Sequence, residues 1–115
     1  MEIREEMRNA VPPSSMEAEI SVLGAMLLDN AAVLRACEQL APEDFYHPEH
    51  REIFSVMAEL NRRHAPVDLV TMQAELSRRG TLEGVGGAKY LMRIISEVPT
   101  AANVRNYIGI VREKR

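Results

Sequence analysis

Apolar positions along the chain recur every three or four residues in five separate stretches, and the same spacing returns in the closing segment. Met16, Ile20, Leu23 and Leu27 form the first stripe, with Gly24 and Ala25 beside it allowing a neighbour to approach closely. Val33, Leu34, Cys37 and Leu40 form the second, and Ile53, Phe54, Met57 and Leu60 the third. Leu69, Met72 and Leu76 make a fourth, Leu91, Ile94 and Ile95 a fifth, and Val104, Tyr107, Ile108 and Val111 a sixth. No segment alternates with period two over a useful length, so the pattern predicts an all-α domain, a compact bundle of about six helices.

The punctuation between the stripes agrees. Val11-Pro12-Pro13 is an extended entry, and Ser14 with Glu17 has the spacing of a capping box. Asp29-Asn30 ends the first helix and caps the second. Ala41 to His47 is a connector, and Pro48 suits the first turn of the third helix because its missing N–H has no partner there anyway. Arg62 and Arg63 place cations at the negative end of that helix. Asp68 caps a helix over 69–79, and Gly80 terminates it. The six-residue stretches "ELNRRH" (59–64) and "ELSRRG" (75–80) resemble one another, which two helix C-termini obeying the same capping rules explain better than a repeat does. A glycine-rich turn, "TLEGVGG", leads to a helix over 88–98; Pro99-Thr100 breaks and recaps the chain before the last helix, near Ala101.

Composition narrows the function. The 115 residues suffice for one core; the net charge is −3, from 14 basic and 17 acidic side chains, which is no general footprint for nucleic acid. Arg62, Arg63, Arg78 and Arg79 could touch phosphates locally, although helix termination accounts for them as well. Cys37 is the single cysteine, so no internal disulfide forms, and its place on an apolar face reads as core. Residues 1–10 are polar and read as a flexible tail without the features of a signal or transit peptide. The longest uncharged apolar run, Ile20 to Leu28, is too short to span a bilayer, so a cytoplasmic protein with no membrane partner is expected.

No catalytic constellation assembles. His47 and His50 are three apart, but no third ligand lies nearby, so a cap at His47 and packing or bonding of His50 near Tyr46 is the simpler reading than a metal site. In "GVGGAKY", Ala88 separates the glycines from Lys89 and Tyr90 stands where a phosphate loop needs Ser or Thr. The carboxylate pairs Glu17/Glu19 and Glu43/Asp44 read as solvated or capping groups. No serine lies in a nucleophile elbow. The expectation is no catalytic, metal or cofactor residue, and a helical interaction module.

Four stretches add to this: "PPSSMEAEISVLGAMLLDN", "PEDFYHPEHREIF", "PVDLVTMQAELSRRG" and "GGAKYLMRIISEVPTAANVRNYIGIVREKR". In this order and spacing they resemble the amino-terminal domain of the DnaB family of bacterial replicative DNA helicases, across 11–115. The resemblance implies one tier of a hexameric ring, a trimer of dimers joined through helical hairpins, which serves as a docking collar for primase and helicase loader. It implies that the ATP- and magnesium-dependent unwinding, and contact with DNA, belong to a separate domain, so the present chain is not itself an enzyme. Residues 11–100 are then the globular domain and 101–115 the first arm of a truncated hairpin, its stripe of Val104, Tyr107, Ile108 and Val111 facing another subunit. The competing reading is a small helix-turn-helix DNA-binding regulator, with 103–115 as its most basic helix.

Overall fold

The computed structural model describes residues 13–98 and 103–114. Those residues form six α-helices: α1 (Pro13–Leu28), α2 (Asn30–Gln39), α3 (Pro48–Arg62), α4 (Leu69–Arg79), α5 (Gly87–Glu97) and α6 (Val104–Lys114). A 3-10 turn, Pro42–Asp44, interrupts the connector between α2 and α3, and no strand occurs among the described residues. The capping box at Ser14, the recap at Thr100 and the tail over 1–10 lie outside the described residues or side chains.

Helix α1 is the axis of the bundle. Ala18, Ile20, Val22, Leu23, Ala25, Met26 and Leu27 are all buried, so α1 is apolar around most of its circumference rather than along one stripe. A helix of that kind needs cover on several sides. Helices α6, α5 and α2 supply most of it, α3 the remainder, and α6 makes the most extensive contact. Gly24 sets the approach of α5: a Cβ there would stand 2.9 Å from the Ile94 carbonyl oxygen and 3.0 Å from Val98 Cγ1. Phe45 and Phe54 pack with their rings tilted by 34° and centroids 5.0 Å apart and are fully buried, joining the connector to α3.

Helix ends follow the chain's punctuation. Asp29 accepts the Ala31 N–H at 3.0 Å, and Asp68 and Thr71 cap α4 reciprocally, each accepting from the other's backbone N–H at 2.9 Å. The two similar sequences at 59–64 and 75–80 close their helices in one geometry. His64 (φ 60°) and Gly80 (φ 78°) are both left-handed, and the following N–H groups, of Ala65 and Thr81, return to the Leu60 and Leu76 carbonyls at 2.9 Å. Glycine adopts that backbone freely, whereas His64 does so against its Cβ.

Several sequence expectations need correction. Leu34 is 56% exposed; the buried face of α2 is Ala32, Val33 and Ala36, because this short helix lies against its neighbours by small side chains. His47 precedes α3 in cap position without a side-chain cap bond. Of the two readings of Asp44, solvated or capping, the second holds: it is buried, and its carboxylate accepts the Ala41 N–H at 2.9 Å, closing the 3-10 turn. The largest correction concerns α6. Its stripe does not stand free: Val104, Ile108 and Val111 are buried in the same core as α1, whose apolar flank α6 lies against.

Candidate functional site

Two features stand out, one interior and one at the surface. The interior feature begins at Glu19, an acid set between buried Ala18 and Ile20 on the axial helix. Helical spacing turns it toward α3, where its carboxylate meets His50 Nδ1 at 2.7 Å. A carboxylate only accepts, so Nδ1 carries the hydrogen. On the far side, His50 Nε2 lies 2.6 Å from the Tyr90 hydroxyl of α5, which donates to it in the neutral imidazole, and the two rings stack at 5.8 Å. The second oxygen of Glu19 accepts the Tyr46 N–H at 2.6 Å. Arg51 Nε donates to the neighbouring Phe45 carbonyl at 2.6 Å, so residues 45 and 46 are held from α1 and α3 together. Burial pushes the Tyr90 phenol above its ordinary range, partly offset by Arg93.

This relay of carboxylate, imidazole and phenol ties three helices together. It has no nucleophile and no open position. Both nitrogens of His50 are hydrogen-bonded, and His47 packs edge-on to it at 5.3 Å. Among the described residues, no group of three His, Cys, Asp or Glu side chains could hold a metal ion. The glycine-rich turn enters α5 through Gly86 (φ 111°) and Gly87 (φ 75°), a structural use for its glycines.

The four arginines of the two similar helix ends face carboxylates. Arg62 pairs with Glu59, and Arg63 reaches Glu59 and Glu75 at 3.7 and 3.4 Å. Arg78 binds Glu75 at 2.5 Å, and Arg79 reaches Glu52 at 3.4 Å and Glu75 at 3.7 Å. The Arg78 hydrogen bond, with help from Arg63, holds the Glu75 carboxyl down at about 2. These side chains form a network linking α3 and α4. Cys37 is half-buried, and burial pushes its thiol up, away from the reactive thiolate.

The surface feature is a groove of about 440 Å³ between α1 and α6. Ala18, Ile20, Tyr107 and Ile110 give it an apolar lining, and Glu17 and Glu97 stand among them. Of the stripe expected to meet another subunit, Tyr107 alone remains half-exposed here, beside Ile110, which lies one position off the stripe. Val104, Ile108 and Val111 are spent inside the chain, so the interface role drawn for those three is corrected. Sequence reasoning missed Glu19 and Ile110. The signal for Glu19 was a lone acid on a helix otherwise apolar all round; Ile110 gave none, because it sits at the edge of the stripe.

The sequence matches the family described as DnaB-like helicase N terminal domain over residues 11–113. It is 52% identical over 104 residues to the replicative DNA helicase DnaB of Geobacillus stearothermophilus, covering 90% of this chain and 23% of that protein. It is 46% identical over 108 residues to the replicative DNA helicase DnaC of Bacillus subtilis, covering 94% and 24%. The crystal structure of the N-terminal domain of DnaB helicase from Mycobacterium tuberculosis superposes with a TM-score of 0.84 at 49% identity, covering 86% of this chain and 72% of that one. The chain thus spans under a quarter of the length of these curated relatives.

Proposed function

Because the chain belongs to the DnaB-like helicase N-terminal domain family, we propose that it is the scaffold and docking tier of a replicative DNA helicase in the bacterial cytoplasm. In this reading it supports a hexameric ring by self-association and receives primase and a helicase loader. ATP, magnesium and unwinding of DNA belong to a further domain of the whole protein. The observation that carries the reading is the family match, which spans all of α1 to α5 and nearly all of α6. The chemistry agrees: the polar interior is consumed in fastening helices, and the apolar surface is offered in a groove.

Self-association centres on Tyr107 and Ile110, the apolar positions of α6 still open to a partner. Light scattering over a concentration series tests it. The unmodified chain is expected to exceed monomer mass as concentration rises, and Tyr107→Asp with Ile110→Asp to remain monomeric with its helical signal intact. A unmodified chain that stays monomeric throughout overturns the self-association reading. Primase and loader are tested by calorimetric titration of each into the chain. Titration with ATP and magnesium should be flat, because no Gly-Lys-Ser/Thr loop exists in the sequence. The helix-turn-helix regulator has no comparable support, since the helix it would use for recognition buries its apolar stripe in the core.

A further inference from the structure

The similar stretches 59–64 and 75–80 end α3 and α4 in one backbone geometry, but the left-handed position holds histidine in the first and glycine in the second. A Cβ added at Gly80 meets nothing within 4 Å. The His64 side chain, in contrast, lines a groove of about 380 Å³ between the start of α2 and the loop from α3 to α4. This groove shares no lining residue with the one between α1 and α6. A residue held left-handed against its own Cβ costs stability that glycine would not. Such strain concentrates where a side chain meets a ligand.

The floor of the groove is Val33 and Val67, both buried, and its apolar rim is Leu34 and Pro66, both exposed. Asn30, Asn61 and His64 stand among them, and none of their side chains has a hydrogen-bond partner among the described residues. Among the described residues no carboxylate, guanidinium or ammonium group lines the groove. The charges next to it in sequence are engaged elsewhere. Asp29 and Asp68 accept helix N–H groups at 3.0 and 2.9 Å, and Arg62 and Arg63 pair with Glu59 and Glu75. The loop wall is preformed: the His64 and Ala65 N–H groups return to the Asn61 and Leu60 carbonyls at 3.0 and 2.9 Å, and Pro66 fixes the backbone that follows.

We propose that this groove receives an extended, uncharged peptide segment of a partner protein, with His64 as a ligand-facing residue. One aliphatic or aromatic side chain of the segment rests on Leu34 and Pro66. The Asn30 and Asn61 amides, each both donor and acceptor, match the alternating N–H and C=O groups of an extended backbone. Charge complementarity selects the uncharged segment: a carboxylate or ammonium brought here loses water and meets no counter-charge in the lining. The site gives a use to the exposed Leu34 and to the strain at His64, and it stands apart from self-association at Tyr107 and Ile110.

Binding of the full 115-residue chain to an array of randomised, end-blocked heptapeptides tests it, the recovered peptides then being titrated in solution. The strongest binders are expected to be uncharged, to share one large apolar side chain, and to shift the Asn30 and Asn61 side-chain amide resonances, with an affinity that sodium chloride leaves unchanged. Leu34→Ser should abolish binding while the helical signal stays intact. His64→Gly should weaken binding roughly tenfold, the equivalent of one hydrogen bond, and at the same time raise the unfolding midpoint. A histidine that only closes the helix would raise the midpoint and leave binding unchanged, which overturns the proposal. An array without binders, binders that carry charge, or shifts confined to other resonances overturn it as well. A loss of self-associated mass in Leu34→Ser assigns the groove to a second copy and also overturns it. None of these outcomes in peptide binding bears on the light-scattering test of Tyr107 and Ile110.

Discussion

Glu19 and His50, 31 residues apart in the chain, meet in the interior at 2.7 Å, each almost fully buried. Neither would be stable there alone, because a buried polar group without a partner costs more than its hydrogen bond returns. Each is satisfied twice: Glu19 by His50 and the Tyr46 N–H, His50 by Glu19 and the Tyr90 hydroxyl. The pair fixes the rotation of α1 relative to α3, and through Tyr90 that of α5, which an apolar contact alone would leave free to slide. Specificity of packing is the role the geometry supports.

Breaking the relay should show that asymmetry. Glu19→Ala leaves the His50 Nδ1 hydrogen and the Tyr46 N–H without acceptors and is expected to cost about 3–5 kcal/mol. Tyr90→Phe removes one partner at the half-exposed end and should cost about 1–2 kcal/mol. Urea unfolding measures both, and equal losses would show that the relay is not graded by burial in this way.

The two glycines of α1 and α6 should respond in opposite directions to the same change. Gly24→Ala drives a methyl to 2.9 Å from the Ile94 carbonyl oxygen, so α5 must move, at an expected cost of about 1–3 kcal/mol. Gly109 lies in mid-helix with nothing within 4 Å of an added Cβ, and Gly109→Ala should stabilise by about 1 kcal/mol through helix propensity. Thermal midpoints that move in the same direction would contradict the packing described for α5.

At the end of α3, His64→Gly should stabilise by about 0.5–1 kcal/mol, because glycine takes the left-handed backbone at φ 60° without opposition from a Cβ. Gly80→Ala at the matching end of α4 should destabilise by about 1 kcal/mol for the same reason. Denaturant midpoints of the two variants provide the check.

Phe45→Ala and Phe54→Ala should each cost about 3–5 kcal/mol, since both rings are fully buried against one another. Losses under about 1 kcal/mol at both positions would show that the core lies elsewhere.

Stability should also carry the signature of Glu75. Its folded carboxyl sits at about 2, below the value of 4.5 it has when free, so the folded state binds this proton less readily than the unfolded state. The contribution is complete above about 4.5 and is lost as pH falls toward 2. Urea midpoints followed across that window should fall more steeply for the unmodified chain than for Glu75→Gln, in which Arg63 and Arg78 lose the Glu75 carboxylate. Parallel curves would refute the assignment.

Helix existence was legible because it rests on local rules. The stripes at 53–60 and 69–76, the caps at Asp29 and Asp68, and the paired endings at His64 and Gly80 all depend on residues within a turn of one another. Phe45 and Phe54 were identifiable as core by bulk and scarcity in a chain with five aromatics. Sequence motifs in series carried the family, and the match over 11–113 agrees.

What the chain alone left open were relations between segments distant in sequence. Periodicity says that α6 has an apolar stripe of Val104, Tyr107, Ile108 and Val111, but not what covers it; the answer depends on α1 being apolar on nearly every side, so that α6 is drawn onto it and, of its large apolar side chains, Tyr107 and Ile110 alone stay partly at the surface. Leu34 fits its stripe in sequence and lies outside in the fold, because α2 packs through alanines. Glu19 looks like a solvated acid until α3 and α5 bring His50 and Tyr90 to it. Local hydrogen bonding and side-chain period are written residue by residue, whereas burial is a property of the assembled bundle, decided by which faces remain once every helix has been placed.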